Sequence, residues 1–113
     1  MHEVGIVQSA LQTAFEEARK SQATRIHLLR LRVGALSGVV PDALGFAFEA
    51  LSVGTMAEGA KLEVEEVPAT WWCEPCGKEF ETREGLGLCP ACQQPSHQLC
   101  RGRELHLATI EVS

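Results

Sequence analysis

Five cysteines carry the most chemistry in this sequence, and four of them fall into two pairs. Cys73 and Cys76 form one C-x2-C, Cys89 and Cys92 a second, and twelve residues lie between the pairs. At that spacing each pair folds a tight turn that aims two thiolates at one ion, and four thiolates favour tetrahedral zinc. Gly77, directly after Cys76, and Pro90, inside the second pair, are residues that such turns use. Four unrelated buried thiols are a poor alternative, because the intervening sequence has too few apolar residues to bury them. A redox C-x-x-C is a better rival, but two pairs at this spacing outweigh it. A four-thiolate site has no open position, so it argues for structure and not for catalysis; iron in the same cage would instead carry electrons. Cys100 lies outside both pairs and reads as a free thiol with no assigned role.

The start of the chain offers a different donor set. His2 is too large for ready removal of the initiator, so Met1 is expected to stay with a free amine. The terminal amine, the His2 amide and the His2 imidazole can wrap one ion in two fused chelate rings, and such nitrogen-rich sites suit nickel or copper(II). Glu3 can add an oxygen or a further backbone nitrogen. The same residues also suit a plain solvated terminus. Asp42, in the first turn of a second helix, reads first as a partner for the helix dipole and otherwise as a supplementary ligand. His27 and His106 read as sheet residues, and His97 as a solvated loop residue near the cysteines. Trp71 and Trp72 read as packing residues. There is no phosphate-cradling glycine loop and no persuasive Ser-His-Asp or Cys-His set, and Glu65 and Glu66 alternate across a strand. No enzyme is expected.

The elements that must position these residues follow from periodicity. Apolar residues recur from Val4 to Ala18 at helical spacing. Arg25 to Val33 alternates as a strand buried on one side, with Leu29, Leu31 and Val33 inward. Pro41 opens a second helix running to about Leu51 and burying Leu44, Ala47, Phe48 and Leu51. Lys61 to Val67 is a second strand and Glu104 to Val112 a last one. Between them, Thr70 to about Cys100 has little aliphatic periodicity, so its order must come from metal. The expected fold is α+β: two helices on a three-stranded sheet, with an inserted zinc-ribbon-like lobe. Residues 1–69 and 101–113 would form one domain and residues 70–100 the lobe. The 113 residues are 45% apolar and 22% charged with a net charge of −5. That is a folded protein of one ordinary core, wrong in charge for phosphate-driven nucleic-acid binding. No apolar run suits a membrane helix or a secretory signal, and the expected location is the cytoplasm.

Taken together, "MHEVGIVQSAL", "RLRVGALSGVVPDALGFAFEAL", "EGAKLEVEEVPA", the two Cys pairs and the late "GREL" resemble the HypA/HybF family of hydrogenase maturation factors, over nearly the whole chain. The resemblance implies a nickel metallochaperone. It implies Ni(II) held by His2 with the Met1 amine, backbone nitrogens and Glu3, and a structural zinc on Cys73, Cys76, Cys89 and Cys92. The implied partners are a HypB-type GTPase and the hydrogenase large-subunit precursor, with no nucleic acid and no membrane, and the chain itself a monomer or weak homodimer. Some members carry His beside the Cys pairs, where this chain has Trp72, Gly77, Leu88 and Gln93. Two other classes remain at this point: a zinc-ribbon interaction module with an incidental His2, and a rubredoxin-like electron carrier.

Overall fold

The computed structural model describes residues 3–82 and 87–113. In chain order the elements are α1 (Glu3–Lys20), β1 (Ile26–Gly34), α2 (Pro41–Ser52), β2 (Lys61–Val67), β3 (Ala69–Cys73), β4 (Lys78–Thr82), β5 (Leu99–Arg101) and β6 (Leu105–Val112). They form two three-stranded sheets, ordered β2-β1-β6 and β4-β3-β5. The chain divides into two compact units, one of residues 1–32, 38–65 and 106–113, the other of residues 33–37 and 66–105. Two helices, a three-stranded sheet and a cysteine lobe are what the patterning predicts. The second sheet, β3 to β5, is what it misses.

In the first unit, α1 buries Val7, Ala10, Leu11, Ala14 and Ala18, a stripe at helical spacing that faces inward from Val7 to Ala18. Its predicted first apolar residue, Val4, is instead 52% exposed. Glu3 opens the helix and Arg19 and Lys20 close it, each charge matched to the dipole at its end. β1 is the central strand. Ile26 donates its N–H to Met56 and Ala35 to Val67, so β1 runs parallel to β2, with α2 as the crossover. At its other edge, Arg25 pairs with Ser113 and Gly34 with Glu104, which makes β1 antiparallel to β6. Burial on a single face holds only for the second half of β1. Ile26 and Leu28 are buried together with Leu29, Leu31 and Val33, and the polar face begins at Arg30. Arg30 there grips Glu63 of β2 through two nitrogens at 2.7 and 3.0 Å, and Arg32 reaches Glu65 at 3.2 Å. Pro41 starts α2, and Leu44, Ala47 and Phe48 are buried, but the last buried residue is Ser52 while Leu51 is only half-buried.

In the second unit β3 and β4 are an antiparallel hairpin, Ala69 opposite Thr82 and Cys73 opposite Lys78. β5 pairs antiparallel on the other side of β3, with an irregularity between Thr70 and Trp71. Among the described residues no helix is long and apolar enough to cross a membrane.

Candidate metal centre

Each Cys pair sits on a turn whose backbone fixes the sulfurs. After Cys73 the chain leaves β3, and the Gly77 N–H returns to the Cys73 carbonyl at 2.8 Å. Gly77 has φ of +63°, the left-handed region that closes such a turn. The second pair repeats the device: Gln93 donates its N–H to the Cys89 carbonyl at 2.7 Å and also has φ of +63°. An additional bond from the Cys89 N–H to Gln94 O, at 3.0 Å, and a bridge between Leu88 and Pro95 hold its base.

The four sulfurs converge. Every pair lies within 4.8 Å, with Cys73 Sγ 3.5 Å from Cys92 Sγ and Cys76 Sγ 3.9 Å from Cys89 Sγ. Those separations are far beyond a disulfide bond of about 2.05 Å. A tetrahedron with zinc–sulfur bonds of about 2.3 Å has edges of about 3.8 Å, so the cage already has the dimensions for that ion. Cys73 and Cys89 are buried, and Cys76 and Cys92 half-buried. Phe80 of β4 completes a small core with Cys73 and Cys89, and Trp71 packs on it. Trp71 is oriented by its indole N–H, which donates to Thr82 Oγ1 at 3.0 Å. Trp72, the next residue on the strand, points the other way and is 36% exposed, so only the first of the two tryptophans packs.

The electrostatics of the cage are uneven. Backbone N–H groups of Cys92 and Ala91 stabilise the Cys89 thiolate and, against its burial, bring its pKa down to about 6. Cys76 is pushed up to about 12 by hydrogen bonding with Cys92 and Cys73 and by burial. At Cys73 the Cys76 amide favours the thiolate, but burial and the sulfurs of Cys92 and Cys89 outweigh it and raise the pKa. The second turn thus supplies a ready anion, and its amide donors are the part of the site that residue spacing did not reveal. A backbone N–H has no sequence signature.

Among the described residues the other candidates do not gather into a site. Met1 and His2 lie outside the described residues. Glu3 is half-buried at the head of α1, and its Oε2 accepts a 3.5 Å hydrogen bond from the Val40 N–H, at the start of α2. Val40 has no side-chain cap of its own, so the carboxylate of one helix steadies the entry to the other. Asp42 is exposed in the first turn of α2. His27 bonds Ser113 Oγ at 2.6 Å, and His106 is exposed on β6. His97 and Cys100 are exposed in the cysteine lobe, where partial desolvation of the thiol and the nearby Glu79 raise the Cys100 pKa. Among the described residues, Cys73, Cys76, Cys89 and Cys92 are the one group of three or more side chains gathered closely enough to hold an ion.

A family model described as "Hydrogenase/urease nickel incorporation, metallochaperone, hypA" matches residues 1–112. The chain belongs to the HypA family. It is 43% identical over 112 residues to the hydrogenase maturation factor HypA of Picosynechococcus sp., spanning 99% of both chains. The HypA of Rhizobium leguminosarum is 41% identical over the same share of each. Among solved structures, a HypA protein in solution superposes with a TM-score of 0.70 at 25% identity, covering 100% of this chain and 97% of that one. The nickel metallochaperone HypA of Helicobacter pylori superposes at 0.66 and 23% identity, over 99% and 97%, and at that identity the likeness is one of fold. HypA proteins are metallochaperones, carriers and not catalysts.

Proposed function

We propose that this chain is a nickel metallochaperone of the HypA type, which takes up Ni(II) at its N-terminus and delivers it for maturation of a nickel-iron hydrogenase. The observation that carries this reading is the reach of the family match. It runs from residue 1 to residue 112 and so takes in both the Met1-His2-Glu3 start and the cysteine cage. Zinc at Cys73, Cys76, Cys89 and Cys92 is structural, since four thiolates leave no position open. Nickel is cargo. Its ligands are the Met1 amine, backbone nitrogen, the His2 imidazole and Glu3, and none of these is a thiolate, so protons or a competing ligand undo the set stepwise. Residues 1–69 and 101–113 form the nickel-binding domain and residues 70–100 the zinc lobe. The partners are a HypB-type GTPase and the hydrogenase large-subunit precursor. The setting is the cytoplasm, with the protein a monomer or weak homodimer that binds no nucleic acid.

Nickel titration of untagged protein beside a form carrying a few extra residues before Met1 tests the reading. The extension leaves every side chain in place but carries the amine away, so the fused chelate cannot close. Affinity is expected to fall with the extension and specific binding to vanish in His2→Ala and His2→Gln, zinc content being unchanged throughout. An amine of ordinary pKa near 7.7 to 8 must lose a proton to coordinate, so uptake weakens as pH falls through neutrality. Equal nickel affinity in tagless and extended protein would move the site elsewhere, and Glu3, Asp42 and His97 would be the next residues to test.

A further inference from the structure

Beside the head of α1, the first unit leaves an apolar trough of about 580 Å³ open to solvent. Its walls are Glu3 and Val4 of α1 and Ala43, Phe46, Ala47 and Leu51 of α2. Phe46 stands at its margin 77% exposed, the most exposed large apolar residue among those described, and Val4 is 52% exposed. On α2 the core stripe is Leu44, Ala47 and Phe48, so Phe46 is an aromatic residue placed off the buried face. Small side chains make the floor, and a large ring stands beside them.

Glu3 is the charged residue of the trough itself, and on α2 Asp42 and Glu49 flank Phe46 at four residues before and three after, Glu49 also lining a separate hollow with Phe48 and Ser52. α2 carries Asp42 and Glu49 and no basic residue, and neither side chain has an ion-pair partner among the described residues. α1 carries no Lys or Arg before Arg19, sixteen residues beyond Glu3 and so about 24 Å along the helix. A second copy placed here by a two-fold axis would bring the same patch against itself, with Glu3, Asp42 and Glu49 on both sides and no basic residue to pair with them. An anionic lipid surface would be repelled by the same carboxylates. Both walls are helices whose backbone bonds are internal, so no strand can be added here and recognition has to run through side chains.

The geometry points to a docking groove for an amphipathic helix of a partner protein, with bulky apolar residues one turn apart and a Lys- or Arg-rich flank. Ala43, Ala47 and Leu51, at spacings of four, receive the apolar residues between Val4 and Phe46, while the acidic rim pairs with the basic flank. That rim steers association and sets orientation more than it adds affinity. The groove begins at Glu3. On the reading that the chain start holds nickel, a helix seated here brings its owner within reach of the cargo.

A synthetic helical peptide of Leu and Lys, about eighteen residues long with Leu at helical spacing, serves as the probe, beside a Leu and Glu peptide of the same pattern. Full-length, zinc-loaded protein is titrated with each, and amide shifts locate the contact. The Lys peptide is expected to move Val4, Phe46 and Leu51, and the Glu peptide to leave them still. Phe46→Ser, at a side chain 77% exposed, is expected to weaken binding about tenfold or more, since exposed aromatic anchors dominate such contacts. Glu49→Lys is expected to weaken it and to flatten its salt dependence. Shifts that map elsewhere, equal binding of both peptides, or unchanged affinity in Phe46→Ser would overturn the assignment. So would a concentration-dependent dimer, or binding to anionic vesicles, that Phe46→Ser abolishes. The Lys peptide carries no His, Cys, Asp or Glu side chain, so His2→Ala protein should bind it normally. Failure of the groove and failure of the nickel site are thereby read separately.

Discussion

Gly77 and Gln93 occupy the same left-handed backbone in the two cysteine turns, φ of +63° in each, yet only one of them is a glycine. A Cβ on Gly77 would meet nothing within 4 Å, so Gly77→Ala is disfavoured by conformation alone. The expected cost is about 1 kcal/mol of lobe stability, read as a lower midpoint of zinc-lobe melting with zinc still bound. Gln93 accepts that strain, and replacing it with glycine gains little, because glycine is also freer in the unfolded chain. The thiols set a pH dependence whose sign follows from Cys89. Its folded pKa of about 6 lies below the ordinary thiol value of 9.0, so its contribution is complete above that value and is lost as pH falls through about 6. Zinc needs thiolates, and protons compete for them in the same direction. Acidification should therefore release zinc progressively to a chromogenic chelator, at a pH below the pKa of the metal-free thiol because the ion competes with protons, with a change in the fluorescence of Trp71 beside the cage. A zinc affinity that did not change with pH would show that the thiolates are not what holds it.

Elements with a strong period could be read from the sequence, and those ordered by other means could not. The stripe Val7, Leu11, Ala14 and Ala18 marks α1, and Leu44, Ala47 and Phe48 mark α2, because tertiary burial there follows the 3.6-residue repeat. β3, β4 and β5 are three to five residues long, and β3 buries Ala69, Thr70 and Cys73 around an irregularity, which erases any alternation. The cage was readable for a different reason: metal geometry constrains spacing in sequence as tightly as burial constrains period. Gly34 shows what neither signal carries. A Cβ there would stand 2.1 Å from the Gly102 carbonyl oxygen and 2.2 Å from its carbon, both backbone atoms, while Gly102 itself is packed on Ala69. Gly34 also donates its N–H to Glu104 at 2.7 Å, so the strand end has no freedom to retreat. Gly34→Ala is expected to cost about 3 kcal/mol, measurable by urea denaturation followed by circular dichroism, although the substitution adds a single methyl group. A loss below about 1 kcal/mol would mean that the close approach relaxes easily.

At the scale of the whole molecule, two kinds of stabilisation divide the chain. The first unit is held by an aliphatic core, with Ala14, Ala18, Leu29 and Leu44 fully buried. The second has a core of Cys73, Phe80 and Cys89, too small to order its 45 residues by apolar burial alone. Metal binding supplies the difference as folding free energy. Removal of zinc by a strong chelator at neutral pH should accordingly collapse the amide spectrum of β3 to β5 while the signals of α1, β1 and α2 persist. Cys92→Ala should reproduce that spectrum without chelator, because one lost thiolate opens the tetrahedron. Cys100→Ser, outside the cage and exposed, should retain full zinc and native signals throughout. The observation that would contradict this division is cooperative loss of both sets of signals at one chelator concentration. It would mean that the aliphatic core does not stand without the metal, and that the ion is a determinant of the entire fold and not of one lobe.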